Sequence, residues 1–189
     1  MRIIAGAAKG RPLAKPKHQG VRPTTDRVRE SIFSILGPVD DEVVLDGFAG
    51  SGALGCEALS RGAAFAYFFD SSRDSIALVR DNIQRVSGQN KSSVHTGPFE
   101  RGLRTIAHDI HIVFLDPPYH SGLVERALTA LAQTNILRPT ALIVIEQESD
   151  EPALALDPEH YVLDDQRLYG RTRISFVRRA LSSGHLEEE

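Results

Sequence analysis

From residue 42 onward the chain alternates short apolar runs of strand type with stretches of helical spacing. The strand-like runs fall at 43–46, 65–70, 92–96, 111–116 and 140–146. Between them the spacing predicts helices over 53–61, 73–87 and 122–133, with a weaker one over 99–107. Ile76, Val79, Ile83 and Val86 make one face of the second; Val124, Ala127, Leu128 and Leu131 make one face of the last. Ile112-Val113-Phe114-Leu115 and Ala141-Leu142-Ile143-Val144-Ile145 are apolar throughout, as strands covered on both faces must be. Strand and helix in alternation predict a mostly parallel sheet with helices on both sides, a doubly wound α/β fold. The pattern then changes. Two strands, about 160–168 and 173–179, flank Tyr169-Gly170-Arg171-Thr172, and such a hairpin puts an antiparallel strand into the sheet.

Ahead of this body, Arg2-Ile3-Ile4-Ala5-Gly6 and Gly10-Arg11-Pro12-Leu13 read as two short strands around a turn, and 16–20 as loop. Val28, Ile32, Ile35 and Leu36 then follow i, i+4, i+7, i+8, which predicts a helix with Thr24, Thr25 or Asp26 as cap and Gly37-Pro38 as stop. The expected organisation is a hairpin-and-helix extension over 1–37, an α/β body over 38–181, and a disordered tail over 182–189.

Composition narrows the function classes. A chain of 189 residues fits one domain with a small appendage. The lone cysteine, Cys56, has no partner for a bridge, so the chain reads as cytoplasmic and the thiol as core packing. No run approaches the ~18–20 apolar residues of a membrane span. The seven histidines show no metal-ligand spacing, so no metal is expected. Charge is uneven: residues 1–30 hold eight Lys/Arg and two Asp/Glu, a balance of +6, and the remainder balances to −9. A basic arm on an acidic body suits a polyanion met by one face; a solvated tail would give the same count.

The stretch Val43-Val44-Leu45-Asp46-Gly47-Phe48-Ala49-Gly50-Ser51-Gly52-Ala53-Leu54-Gly55 has the glycine spacing of a nucleotide-binding turn between strand and helix. A Walker loop needs Gly-Lys-Ser/Thr, and Gly52 is followed by Ala53, so that reading fails. A dinucleotide turn meets the spacing. However, it would set a pyrophosphate near Asp46 with no Lys or Arg between 43 and 60 to compensate. Negative charge there favours a ligand with an ammonium and a sulfonium, as in S-adenosylmethionine. Asp70, at the end of the next strand, would face the ribose hydroxyls; alternatively Asp70, Ser71 or Ser72 caps the following helix.

Asp116-Pro117-Pro118-Tyr119 follows the buried run 112–115. Consecutive prolines fix φ and leave their carbonyls without competing N–H groups, so Asp116 and the Pro117 carbonyl become rigid acceptors at a strand's C-terminal end. Two acceptors can grip the two N–H bonds of a nucleobase amine, favour its pyramidal form and stabilise the positive charge that develops there. Tyr119 offers a flat face for the base. A stiff turn without chemistry is the plain alternative.

The motif Asp46 to Gly55, with Glu57-Ala58-Leu59-Ser60-Arg61-Gly62-Ala63, resembles the cofactor motif of RsmD-type 16S ribosomal RNA guanine-N2 methyltransferases. Asp116-Pro117-Pro118-Tyr119 is similar to their catalytic motif. Arg2 to Gly6, Gly10 to Leu13, Arg22-Pro23-Thr24-Thr25-Asp26-Arg27-Val28-Arg29-Glu30 and Tyr169 to Thr172 also match, so the likeness covers roughly residues 1–179. The resemblance implies a class I methyltransferase fold and S-adenosylmethionine bound through Asp46, Phe48, Ala49, Gly50, Ser51, Gly52 and Asp70. It implies catalysis by Asp116, Pro117 and Tyr119 on a guanine N2 in 16S rRNA, within a small ribosomal subunit or its assembly intermediate. In the usual numbering that base is guanine 966. The enzyme is expected to be a monomer whose RNA contacts come from Lys9, Arg11, Lys15, Lys17, Arg22, Thr24 and Arg29. Two departures stand out. Gly47 replaces a usual leucine, which predicts looser packing, and Thr96-Gly97-Pro98-Phe99 lacks the acid that often meets the adenine amine, leaving Phe99 or backbone for that contact. An adenine-N6 DNA methyltransferase shares Asp-Pro-Pro-Tyr, but this chain has little spare length for a target-recognition domain. A silent cofactor-binding module is the other rival, and an intact motif argues against it.

Overall fold

In the computed structural model, residues 1–16 and 26–180 are described. Helix α1 (Asp26–Leu36) precedes β1 (Val43–Asp46), α2 (Ala53–Ser60), β2 (Phe65–Asp70), α3 (Arg73–Arg85) and β3 (Ser92–Thr96). Then follow α4 (Phe99–Gly102), β4 (Ile110–Leu115), α5 (Leu123–Ala132), β5 (Leu137–Glu148), β6 (Tyr161–Tyr169) and β7 (Thr172–Arg179). The sheet order is β3-β2-β1-β4-β5-β7-β6. Strands β1 to β5 pair in parallel, and β7 is antiparallel to both β5 and β6. This is the expected doubly wound sheet with its C-terminal hairpin.

The continuous apolar runs are explained by two cores, one on each face. Val44, Ala66, Phe68, Ile112 and Phe114 point to one, with α1, α2, α3 and the N-terminal arm above them. Their neighbours Val43, Leu45, Tyr67, Phe69, Val113 and Leu115 point to the other, under α4 and α5. Successive strand residues alternate faces, so only an all-apolar strand can fill both. On the first face Phe33 of α1 meets Phe114 of β4 with centroids 5.8 Å apart, and the Arg61 guanidinium lies over the Phe33 ring.

Two elements differ from expectation. The arm forms one isolated bridge, Arg2 to Pro12, rather than two strands. Its N–H groups at Ile4 and Ala5 go to the Glu57 carboxylate on α2, at 2.8 and 2.9 Å, and so are lost to a ladder. The helix over 99–107 shortens to α4 and a 3-10 turn, Leu103–Thr105. It ends at Gly102, against which the Phe69 ring lies so closely that a Cβ would stand 2.7 Å from it. The expected tail, 182–189, lies outside the described residues. Among the described residues no helix is long and apolar enough to cross a membrane.

Candidate active site

The sheet order reverses direction at β1, with β2 on one side and β4 on the other, and open α/β sheets form a crevice at the strand ends there. The residue after β1, Gly47, donates its N–H to the Phe114 carbonyl (2.9 Å), and Ala49 donates to that of Phe69 (2.9 Å). The turn is thereby stitched to both neighbours. Gly50 and Gly52 take φ of +53° and +72°, a region side chains disfavour, and Gly52 caps α2. Gly55 serves close approach instead: a Cβ there would stand 2.3 Å from the Phe68 ring.

Both acids of the sequence motif face this turn. Asp70 accepts from Gly50 N–H at 2.8 Å with one oxygen and from Ser72 N–H at 2.8 Å with the other. The cap of α3 is Ser72, whose hydroxyl accepts from Ser75 N–H. Asp46 is only 2% exposed, and one oxygen accepts from Gly55 N–H at 3.0 Å. Burial, reinforced by the charge of Asp70 and opposed by the Gly55 hydrogen bond, pushes its carboxyl up to about 7. A buried acid in that state gains from any cation placed beside it.

A cleft of about 830 Å³ runs from this turn to the end of β4. Asp46, Phe48, Ala49, Gly50, Ser51 and Asp70 line one end; Asp116, Pro117, Pro118 and Tyr119 line the other. Gly52 is set back, with the Phe68 ring and Val79 against it. Tyr119 donates its hydroxyl to Glu146 Oε1 at 3.0 Å. Burial first, then the Glu146 charge, push that phenol up, so it stays a neutral donor. Next to it His120 takes a left-handed φ of +55°, where the chain turns away toward α5. Phe99 lines the cleft only 4% exposed, stacked on Phe48 with centroids 5.5 Å apart and planes 13° off parallel.

The basic residues divide. Lys9, Arg11 and Lys15 are exposed on the arm, and Arg11 donates to the Arg85 carbonyl. Lys17, Arg22 and Thr24 lie outside the described residues. Arg29 does not belong with them: it is 0% exposed and cannot reach an RNA from that position. It donates to the Arg2 carbonyl and to Asp26 Oδ1 (3.0 Å), and its Nε lies 3.6 Å from Glu57. Gly47 needs correcting as well. A Cβ there would stand 2.5 Å from the Phe99 ring, so the position is filled and not loose.

Sequence reading missed three buried polar residues. Glu57 holds the arm and Arg61; Asn82 bonds both backbone groups of Ala14 and the Ser51 carbonyl; Glu146 holds Tyr119. Each had a signal, a polar residue inside an apolar element: α2, the inward face of α3, and β5. At the cleft rim Glu100 pairs with Arg126 at 2.7 Å.

The family model described as conserved hypothetical protein 95 matches residues 1–178. The ribosomal RNA small subunit methyltransferase D of Haemophilus influenzae is 38% identical over 175 residues, 90% of this chain and 89% of that one. That of Escherichia coli K12 is 38% identical over 180 residues, 95% of this chain and 90% of the other. A solved structure from Escherichia coli, of yhhF, described as a candidate methyltransferase, superposes with a TM-score of 0.81 at 35% identity, covering 96% of this chain and 99% of its own.

Proposed function

The chain belongs to the conserved hypothetical protein 95 family, the RsmD-type methyltransferases, and on that premise we propose that it methylates the exocyclic N2 of a guanine in 16S rRNA. Guanine 966 is the base we propose. The single observation that supports this most is one cleft shared by Asp46 and the glycine turn at one end and Asp116 to Tyr119 at the other.

The donor end fits S-adenosylmethionine. A buried carboxyl with a raised pKa suits the cationic part of that ligand, and the turn through Gly50 and Gly52 brings the positive N-terminal end of α2 to the cleft, where it suits the ligand's carboxylate. Bound there, this cofactor supplies a methyl group already activated by a sulfonium sulfur. The protein then has to hold the acceptor nitrogen in place and stabilise its developing charge. Asp116 and the Pro117 carbonyl accept the two N2–H bonds, Tyr119 stacks the ring, and Asp116 or a water takes the departing proton. The base must leave its stack to enter the cleft. Lys9, Arg11 and Lys15 contact RNA phosphates on the way, and the protein acts as a monomer in the cytoplasm on a small subunit or its assembly intermediate.

The test uses labelled S-adenosylmethionine with unmodified small subunits, naked RNA or DNA, followed by digestion to nucleosides and mapping of the modified position. N2-methylguanosine in the small-subunit RNA is the expected product. N6-methyladenine in DNA, or no transfer to any substrate, would overturn the reading.

A further inference from the structure

The turn Tyr169-Gly170-Arg171-Thr172 has no part in the chemistry above, yet the fold brings it to the acceptor end of the cleft. Because β7 runs antiparallel to β5, Ile174 pairs with Glu146 and Thr172 with Glu148. Gly170, at φ +62°, makes the two-residue turn that allows this. Two of the side chains so placed converge on one phenol oxygen. Glu146 accepts the Tyr119 hydroxyl at 3.0 Å, and the Thr172 side chain lies beside the same group. Both residues are buried, at 6% and 5% exposure. The backbone is fixed too: His120 N–H donates to Glu151 Oε2 at 3.2 Å, immediately after Tyr119.

A ring that only fills space needs no such partners, whereas a ring held at its tip and at its backbone has its plane decided before any base arrives. Setting the plane in advance removes an ordering cost from base docking and aligns the base with Asp116. We propose that Glu146, assisted by Thr172, is a positioning residue that fixes the Tyr119 ring as a preset platform for the acceptor base. This rests on the role given to Tyr119 above.

The full chain is compared with Glu146→Gln, Glu146→Leu, Thr172→Val, Tyr119→Phe and the double variant Glu146→Leu/Tyr119→Phe. The readouts are kcat and KM for small-subunit RNA, Kd for S-adenosylmethionine, and Tm. Glu146→Gln keeps an acceptor oxygen and should stay within about twofold of wild type. Glu146→Leu and Tyr119→Phe should each lose ~10- to 100-fold in kcat/KM for RNA, the range expected when a reacting group is misplaced. The double variant should be no worse than either single one. Cofactor Kd should stay unchanged. Thr172→Val, which keeps its shape, gives a smaller loss of the same kind and serves where Glu146→Leu fails to fold. Variants that lower Tm but keep wild-type kcat and KM for RNA, or losses that simply multiply, overturn the proposal. A wild type that transfers no methyl to any nucleic acid overturns this proposal together with the function it rests on; an active wild type with indifferent variants overturns this one alone.

Discussion

The Phe99 ring occupies the volume that a side chain on Gly47 would fill, with its nearest carbon 2.5 Å from where the Cβ would be. Sequence shows these as two separate departures, one after β1 and one after β3; the fold makes them one exchange of volume. Restoring bulk with Gly47→Leu should therefore expel Phe99 from its stack on Phe48, destabilise the protein by about 1–3 kcal/mol, and weaken S-adenosylmethionine binding. Adding Phe99→Ala should recover part of the loss in stability. Thermal unfolding and calorimetric titration of the cofactor check both.

Asp46 should make cofactor binding depend on pH. Its carboxyl, ordinarily near 3.8, sits at about 7 in the folded chain without ligand, so the charge a cation would meet disappears as pH falls from 8 to 6. Affinity for S-adenosylmethionine should fall over that window, and Asp46→Asn should weaken binding and flatten the dependence.

The same shift works in the other direction on stability. The folded state holds this proton more tightly than the unfolded one, so the group's stabilising contribution is complete below about 3.8 and lost as pH rises through about 7. Asp46→Asn keeps an oxygen for the Gly55 N–H and removes the buried charge. It should stabilise the cofactor-free protein at pH 8 by about 1–3 kcal/mol, with a much smaller gain at pH 5. Urea unfolding at the two values decides it.

Glu57 is fully buried, and its carboxylate accepts from Ile4, Ala5 and Arg61 within reach of Arg29. Glu57→Ala should cost about 3–5 kcal/mol, because it unpairs the N–H groups of Ile4 and Ala5 and leaves the buried Arg29 with only the partly exposed Asp26 as a carboxylate partner. Limited tryptic proteolysis should then cut after Lys9 under conditions that spare the wild type.

The RNA role of the arm is best tested by substitution. Ile3, Ala8 and Leu13 are core residues, so deleting the first twenty residues would unfold the protein and report nothing about RNA. Replacing exposed Lys9, Arg11 and Lys15 together by Ala should lower the slope of log affinity against log salt by up to about 2 and leave cofactor Kd unchanged. A slope equal to that of wild type would refute the phosphate contacts.

Much of this fold was legible because the central strands write both cores at once. The run Ile112 to Leu115 can be apolar throughout only if both faces are covered, and that fixed the layered architecture. The glycine turn was legible through backbone demand: Gly50 and Gly52 adopt a φ that few other residues tolerate. Arg29 was misread because charge counting cannot see burial, and its ion pair with Glu57 spans residues far apart in sequence. Glu146 and Asn82 escaped because what they hold, Tyr119 and Ala14, is brought near by pairing and packing that no local pattern encodes.

The β5–β7 pairing also imposes an order on biosynthesis. The donor turn has all its partners once β4 has been made, since Asp70 holds Gly50 and the Phe114 carbonyl accepts from Gly47. The surroundings of Tyr119 wait for Thr172, which is added to the chain roughly 3–10 s after Tyr119 at about 5–20 residues per second. On the roles proposed above, a nascent chain can assemble its methyl-donor turn while the platform for the acceptor is still unset, and the late hairpin would turn a ligand-binding intermediate into a working enzyme.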